Sequence, residues 1–450
     1  MAGQRVMVVV GLVVALMLVG CSTAPTPPPE GPNRPPPPKG VVLATAEQEF
    51  DRGLRLLTRG DRGKRWTERA CRETANLFGE AAARLRSAGD GRAAMAEYNR
   101  AIALGRCQLR DEAGPILAGL LDAQPAFHRA RVQLAMVRLA ATGARGLDET
   151  IAEVDRAVRD AAYQNVEALV FLAMLQMRRG NTAKDGRGQD DLDRAKLNLQ
   201  RALAIDDRFM PALNQLAIYY LHRARGTVGG RLGHLDTAAR FTSKVDRAVL
   251  ELAALVCSQA IAKDPGYAPI HNTAGLVSAA LGDLSAAAQA FARARDIDPR
   301  FFEAHMNYGA INLRFRGFAN AERAYQAAQA LEPDDYDARL GLALAYRGQI
   351  GAGDAKQLLA ASTKQLQAAK RQDASRPEAY FNEAILVKEF RATGGLQAKP
   401  MLLRARGLFE AFVARAADEP RFVDAVARAR ERVEDIDRIL DFLEQSGETK

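Results

Sequence analysis

The chain has 450 residues, 48% of them hydrophobic but only 6% aromatic, with a single Trp. Lys and Arg outnumber Asp and Glu by 63 to 54, a formal net charge of +9. No basic run with interleaved aromatics accompanies that excess, which argues against nucleic acid as a partner. It leaves either attraction to acidic surfaces, such as lipid headgroups or acidic proteins, or arginine-rich helix faces that merely meet water.

The N-terminus bears on the compartment. Residues 1–20 hold one basic residue, Arg5, then an apolar run over 6–19 that ends in Leu18-Val19-Gly20-Cys21. That run is shorter than the ~20 residues needed to span a bilayer. These residues resemble a bacterial lipoprotein signal with its lipobox. The resemblance implies cleavage after Gly20 and lipidation of the Cys21 thiol by diacylglycerol and palmitate-type chains. With Ser22 rather than Asp in the next position, it also implies anchoring in the outer membrane, facing the periplasm. Residues 21–41 carry Pro25, Pro27 to Pro29, Pro32 and Pro35 to Pro38. They read as a semi-rigid polyproline II tether of ~3 Å per residue.

Helical patterning starts near Val42. The stretch 42–124 is predicted as helices over 44–59, with Phe50, Leu54 and Leu57 on one face, over 65–86 as one helix or two, over 93–104 and over 109–122. Gly89-Asp90 is the turn between the second and third. Cys71 and Cys107 are almost equidistant from that turn, so an antiparallel hairpin brings them to the same end. An oxidising periplasm would then join them, unless helical phase points the side chains apart. The fourth helix has no partner, which leaves the register before Pro125 open.

From Pro125 to Pro420 the chain repeats. Pro265, Pro299 and Pro333 recur at a 34-residue spacing. Between them run His271, Ala274-Gly275, Ala287, Phe291 and Ala294, then His305, Tyr308-Gly309, Ala321, Tyr325 and Ala328. These units resemble the tetratricopeptide (TPR) repeat, a helix–turn–helix with small residues at fixed contact points. The resemblance implies an all-α, TPR-type α-solenoid, with Gly275 and Gly309 on helix A crossing close to helix B. Cys257 takes the Phe291 slot of an earlier unit and is predicted to be a buried free thiol. Several units exceed 34 residues, and the extra residues fall between helix A and helix B, at 142–147, 180–191, 226–235, 348–356 and 392–400. Either turns tolerate insertion cheaply, or the enlarged turns form a binding rim. Residues 421–450 read as a charged amphipathic capping helix and tail.

No catalytic constellation appears, so the chain is read as a non-enzyme without cofactor or metal. His271 and His305 share one slot of helix A and are predicted to be packing residues. Gly229-Gly230 and Gly233 follow no strand, so they are no dinucleotide loop. The TPR resemblance implies protein partners instead, held in a groove lined by helix A. That set is Asn214, Ile218, Leu221, His222, Asn272, Leu276, Met306, Leu313, Arg314, Leu340, Leu344 and Arg347. Its mix of apolar and basic groups suits an extended or helical acidic peptide. Lipobox, tether and repeat array together resemble the TPR lipoproteins of the adventurous gliding-motility envelope machinery. They also resemble the pilotins that assist secretins of type IV pili, although the enlarged turns depart from those. An accessory subunit binding cell-wall glycan is the reading from a different class, for which groove aromatics are sparse.

Overall fold

The computed structural model describes residues 38–63, 66–225, 245–351, 353–392 and 398–445. Among them regular structure is helical throughout. The elements are α1 (Lys39–Gly63), α2 (Glu68–Ser87), α3 (Ala93–Gly105), α4 (Arg110–Ala123), α5 (His128–Thr142), α6 (Leu147–Asp160), α7 (Val166–Arg179), α8 (Asp191–Ile205) and α9 (Met210–Arg225). There follow α10 (Arg247–Lys263), α11 (Ala268–Leu281), α12 (Leu284–Ile297), α13 (Phe302–Arg314), α14 (Phe318–Leu331), α15 (Tyr336–Gln349), α16 (Ala355–Gln372), α17 (Glu378–Phe390), α18 (Ala398–Ala416) and α19 (Val423–Gln445). The fold is all-α and built of TPR-type helical hairpins. It divides into two compact units, the first running to Tyr219 and the second starting at Tyr220. The division falls inside α9, within the 125–420 stretch. Cys21, the signal-like residues and most of the Pro-rich stretch lie outside the described residues, as do the 226–235 turn and part of the 392–400 turn.

In the second unit the regular repeats are α11/α12 and α13/α14. Two helices, α12 and α15, begin where an aspartate supplies a local partner for orphan backbone groups. Asp283 caps α12 by accepting from the Ala286 amide at 2.8 Å, and Asp335 caps α15 through Ala338 at 2.8 Å. The helix B stripes Ala287-Phe291-Ala294 and Ala321-Tyr325-Ala328 are buried. Burial of such an aromatic ring contributes roughly 1.5–3 kcal/mol. The helix A glycines make room for it. A Cβ on Gly275 would stand 2.5 Å from the Phe291 ring, and one on Gly309 2.8 Å from Tyr325. A Cβ on Gly341, on the helix A of the following hairpin, would clash with the same Tyr325 ring. At the end of the chain α19 packs on α18 through Phe412, Phe422, Ile436 and Leu440. Phe412 meets Phe422 edge-on at 6.0 Å.

In the first unit α2 is a single helix, and α1 begins at Lys39, a turn earlier than the patterning predicts. Phe78 of α2 packs edge-on against Phe50 of α1 at 5.5 Å. The α1 end is fastened by Asp61, which accepts from Trp66 Nε1 at 3.0 Å and from Arg106 at 2.9 Å through both oxygens. The register before Pro125 resolves as follows. Helices α2 and α3 form the hairpin, with Ala81, Ala82, Leu85, Ala94, Tyr98 and Ala101 buried. Helix α4 stands between α3 and α5 and packs on both, burying Leu117 and Leu120 in one cluster with Tyr98 and Leu134. No helix among the described residues is long and apolar enough to cross a membrane.

Candidate functional site

One backbone device repeats along both units and sets the start of helix A. After four of the turn prolines, the residue six positions on donates to that proline's carbonyl. Arg131 reaches Pro125 O at 2.6 Å, His271 reaches Pro265 O at 3.0 Å, His305 reaches Pro299 O at 2.8 Å, and Arg339 reaches Pro333 O at 2.5 Å. Both histidines use Nε2 and are buried, which gives them a structural task. Among the described residues no group of three or more His, Cys, Asp or Glu could hold a metal ion. Burial pushes the His305 pKa down; the Pro299 carbonyl opposes that and Arg295 adds to it.

The predicted partner set separates into two groups. Asn214, Ile218, Leu221, Asn272, Leu276, Met306 and Leu340 are buried. Neighbouring side chains cover these seven. Asn272 illustrates the reason: its Oδ1 accepts from Asn307 Nδ2 of the following helix A at 2.8 Å. His222, Leu313, Leu344 and Arg347 are half-buried, and Arg314 is exposed.

Within the accessible group Arg347 has the most unusual surroundings. Its Nη1 donates to Asn382 Oδ1 on α17 at 2.9 Å. Asn382 is oriented for this, since its Nδ2 is held by the Glu378 carbonyl at 2.8 Å. Burial pushes the Arg347 pKa down; Glu389 counteracts this and Arg432 reinforces it. Glu389 is itself paired with Arg432 at 3.2 Å. No carboxylate of the described residues forms an ion pair with Arg347. Its neighbour Arg376 behaves in the ordinary way, bonded to Asp337 at 2.6 Å and Glu378 at 3.1 Å and stacked on Tyr336. Glu383, buried and next to Asn382 in the chain, is likewise compensated by Lys370 and by Arg404 at 2.7 Å.

Of the enlarged turns, 142–147 and 180–191 in the first unit are described completely, and the second is the longer. Its organising group is Asp191, whose side chain is wholly buried. Arg179 grips it with Nε and Nη2, each at 2.7 Å, Arg194 donates at 2.6 Å, and the Asn181 amide at 2.9 Å. Burial pushes the Asp191 carboxyl up, but these donors outweigh it and hold the pKa below the usual carboxylate range. Asp185 accepts from the Arg187 and Gln189 amides and pairs with Arg194. Asp190 and Asp193 form a capping box at the start of α8. Glycine content alone does not reveal this arrangement. Two adjacent aspartates with arginines on both flanking helices are the signal in the sequence that could have found it.

The cysteines fall into two environments. Cys71 on α2 and Cys107 just after α3 form a disulfide, with Cα atoms 6.2 Å apart. Cys257 on α10 is a buried free thiol whose pKa burial pushes up to about 12.

Hairpins of this geometry define the class: an all-α, TPR-type repeat protein. No family model matches the chain, and no curated protein does. Among solved structures the chain is similar to TTC0263, a thermophilic TPR protein of Thermus thermophilus. That likeness has 24% identity and a TM-score of 0.39 over 48% of this chain and 98% of that one. A tetratricopeptide repeat protein of Parabacteroides merdae is similar at 14% identity and TM-score 0.39, over 68% and 97%. PilF of Pseudomonas aeruginosa is similar at 15% identity and TM-score 0.41, over 58% and 97%.

Proposed function

We propose that the chain is a lipid-anchored, periplasm-facing scaffold of the outer membrane whose α15/α17 surface binds an acidic segment of a protein partner. Arg347 carries this reading. A desolvated guanidinium bonded only to a neutral amide costs free energy. A docked carboxylate would offset that cost with a charge-assisted, bidentate hydrogen bond. Half-buried Leu344, one turn earlier on α15, supplies the adjoining apolar contact.

The compartment reading rests on the lipobox at Cys21 and is supported by the Cys71–Cys107 disulfide, since such bonds persist in oxidising surroundings. The resemblance to TPR lipoproteins of gliding-motility complexes makes that envelope machinery the first set of partners to test.

The test is co-purification of the intact protein from membranes, with identification of bound proteins, for the wild type and for Arg347→Glu. The expected result is loss of a specific acidic partner, at least tenfold, with unchanged helicity by circular dichroism. Retention of the same partner by a double Arg314→Glu/Arg347→Glu chain would overturn the reading. Membrane attachment is checked separately with Cys21→Ala, which should accumulate as an uncleaved, unlipidated precursor.

A further inference from the structure

Helix α1 turns its carboxylates inward and leaves its arginines outside. Its core side is seated closely: Phe50 meets Phe78, and a Cβ on Gly53 or Gly60 would collide with the ring of Phe78 or Trp66. Three of its carboxylates are tied to the neighbouring helices. Glu47 pairs with Arg92 at 2.8 Å, Glu49 with Arg84 at 3.0 Å, and Asp61 with Arg106 at 2.9 Å. The remaining one, Asp51, is exposed. Arg52, Arg55 and Arg59 are exposed as well, and no carboxylate of the described residues pairs with them.

Helical spacing gathers these arginines. At 3.6 residues per turn, positions 52, 55 and 59 fall within about 60° of one another, on the side away from Phe50 and Gly53, in a row about 10 Å long. Val41, Ala44 and Gln48 continue that side toward the start of the helix, and none of them is acidic. Asp51 flanks the row, so positive charge stays in excess. The last helix, α19, shows what solvation alone asks of an end helix. Its Arg428, Arg430 and Arg438 alternate with Glu431, Glu434 and Asp435, and Arg438 pairs with Asp435. A row of one sign makes a directed field that such a mixture does not.

We propose that the outer face of α1 lies on an anionic leaflet, with Arg52, Arg55 and Arg59 against the headgroup phosphates, and so holds the first unit in a fixed orientation at the membrane. The contact rests on the Cys21 anchor proposed above and not on Arg347. Lys39 opens α1 directly after the Pro-rich stretch, which at ~3 Å per residue reaches tens of Å at most. A bilayer is favoured over an acidic protein because that tether already keeps α1 close to it, so the row meets phosphates at high effective concentration. Each arginine near such a surface strengthens attachment about fivefold, and three together roughly 100-fold. That adds a second signal to the acyl chains.

The test uses the intact protein extracted from membranes, with Gln48→Cys carrying a fluorescent label on that face. Cys71 and Cys107 are bonded to each other and Cys257 is buried. Label taken up without Gln48→Cys therefore reports a Cys21 that bears no lipid, which reads the anchor separately. Quenching is measured on vesicles of phosphatidylcholine, with and without phosphatidylglycerol, that contain a headgroup-nitroxide lipid. The expected result is at least twofold stronger quenching when phosphatidylglycerol is present. The excess should vanish with Arg52→Glu, Arg55→Glu and Arg59→Glu combined. It should also vanish for the unsubstituted arginines at about 1 M salt, where the Debye length is ~3 Å. Equal quenching on the two kinds of vesicle overturns the proposal, as does an excess that survives both treatments. Shielding of the label from aqueous iodide without nitroxide quenching overturns it too, by placing a second protein copy on that face.

Discussion

The tight hairpins α11/α12 and α13/α14 and the enlarged hairpin α7/α8 solve one problem by different physics. All must turn the chain and satisfy the carbonyls and amides left over at two helix ends. The tight turns do it with backbone bonds and one left-handed residue, and their stability lies in the rings packed beneath. The 180–190 turn does it with a buried carboxylate held by two arginines. Insertion into a repeat is therefore not free loop. Here it required a charged keystone, which ties turn geometry to ionisation in a way the regular repeats avoid.

The largest expected effect separates the two kinds of hairpin by core packing. Tyr325→Ala should destabilise the second unit by about 3–5 kcal/mol in urea unfolding, because the emptied space lies between two helix A glycines. Asp191→Ala should cost about 3 kcal/mol, since it leaves Arg179 and Arg194 without their shared partner. A loss below about 1 kcal/mol, the range of exposed pairs, would mean that the enlarged turn is held by something other than its keystone. Cys71→Ser should lower stability by roughly 2–4 kcal/mol under non-reducing conditions and by nothing once the wild type is reduced. Gly282→Ala should cost about 1 kcal/mol, whereas Gly186→Ala in the enlarged turn should be neutral, as its added methyl meets open space.

The two regions should also differ in pH response. His305 has its pKa lowered by folding, so the unfolded chain binds the proton more readily. Its contribution is full above the ordinary histidine pKa of about 6.5 and is lost as pH falls below it. Asp191 is also lowered, but from the carboxylate range. Its contribution is full above about pH 4 and is lost on further acidification. Hydrogen exchange at mildly acidic pH should therefore loosen α13 before α8; the reverse order would contradict both assignments.

Much of the fold was legible because its determinants are periodic. The proline spacing, the glycine facing an aromatic, and the equidistance of Cys71 and Cys107 from Gly89-Asp90 are all local patterns that geometry converts into contacts. The shared slot of His271 and His305 was visible too, yet its purpose was not. Only the structure relates it to Arg131 and Arg339, which perform the same bond with different chemistry. Burial along helix A was less legible. A helix wheel places Leu276 and Asn272 on one face of α11 but does not say that the neighbouring helix A covers that face. The surroundings of Arg347 depend on Asn382 and Glu389 of α17 and on the charge of Arg432 of α19, far along the chain, and the lone helix α4 carries a stripe that fits either helix of a repeat.

Tyr325 joins what the repeat boundary would divide. One ring fills the notch of Gly309 in its own hairpin and that of Gly341 in the next. Neither hairpin can open there without uncovering the other, so the coupling between neighbours rests on a shared side chain as well as on a shared surface. In a one-dimensional array such coupling lengthens the stretch that folds and unfolds as a single event. A partner that docks on α15 therefore acts on a block of at least two hairpins, and the effect of binding there extends back to α13.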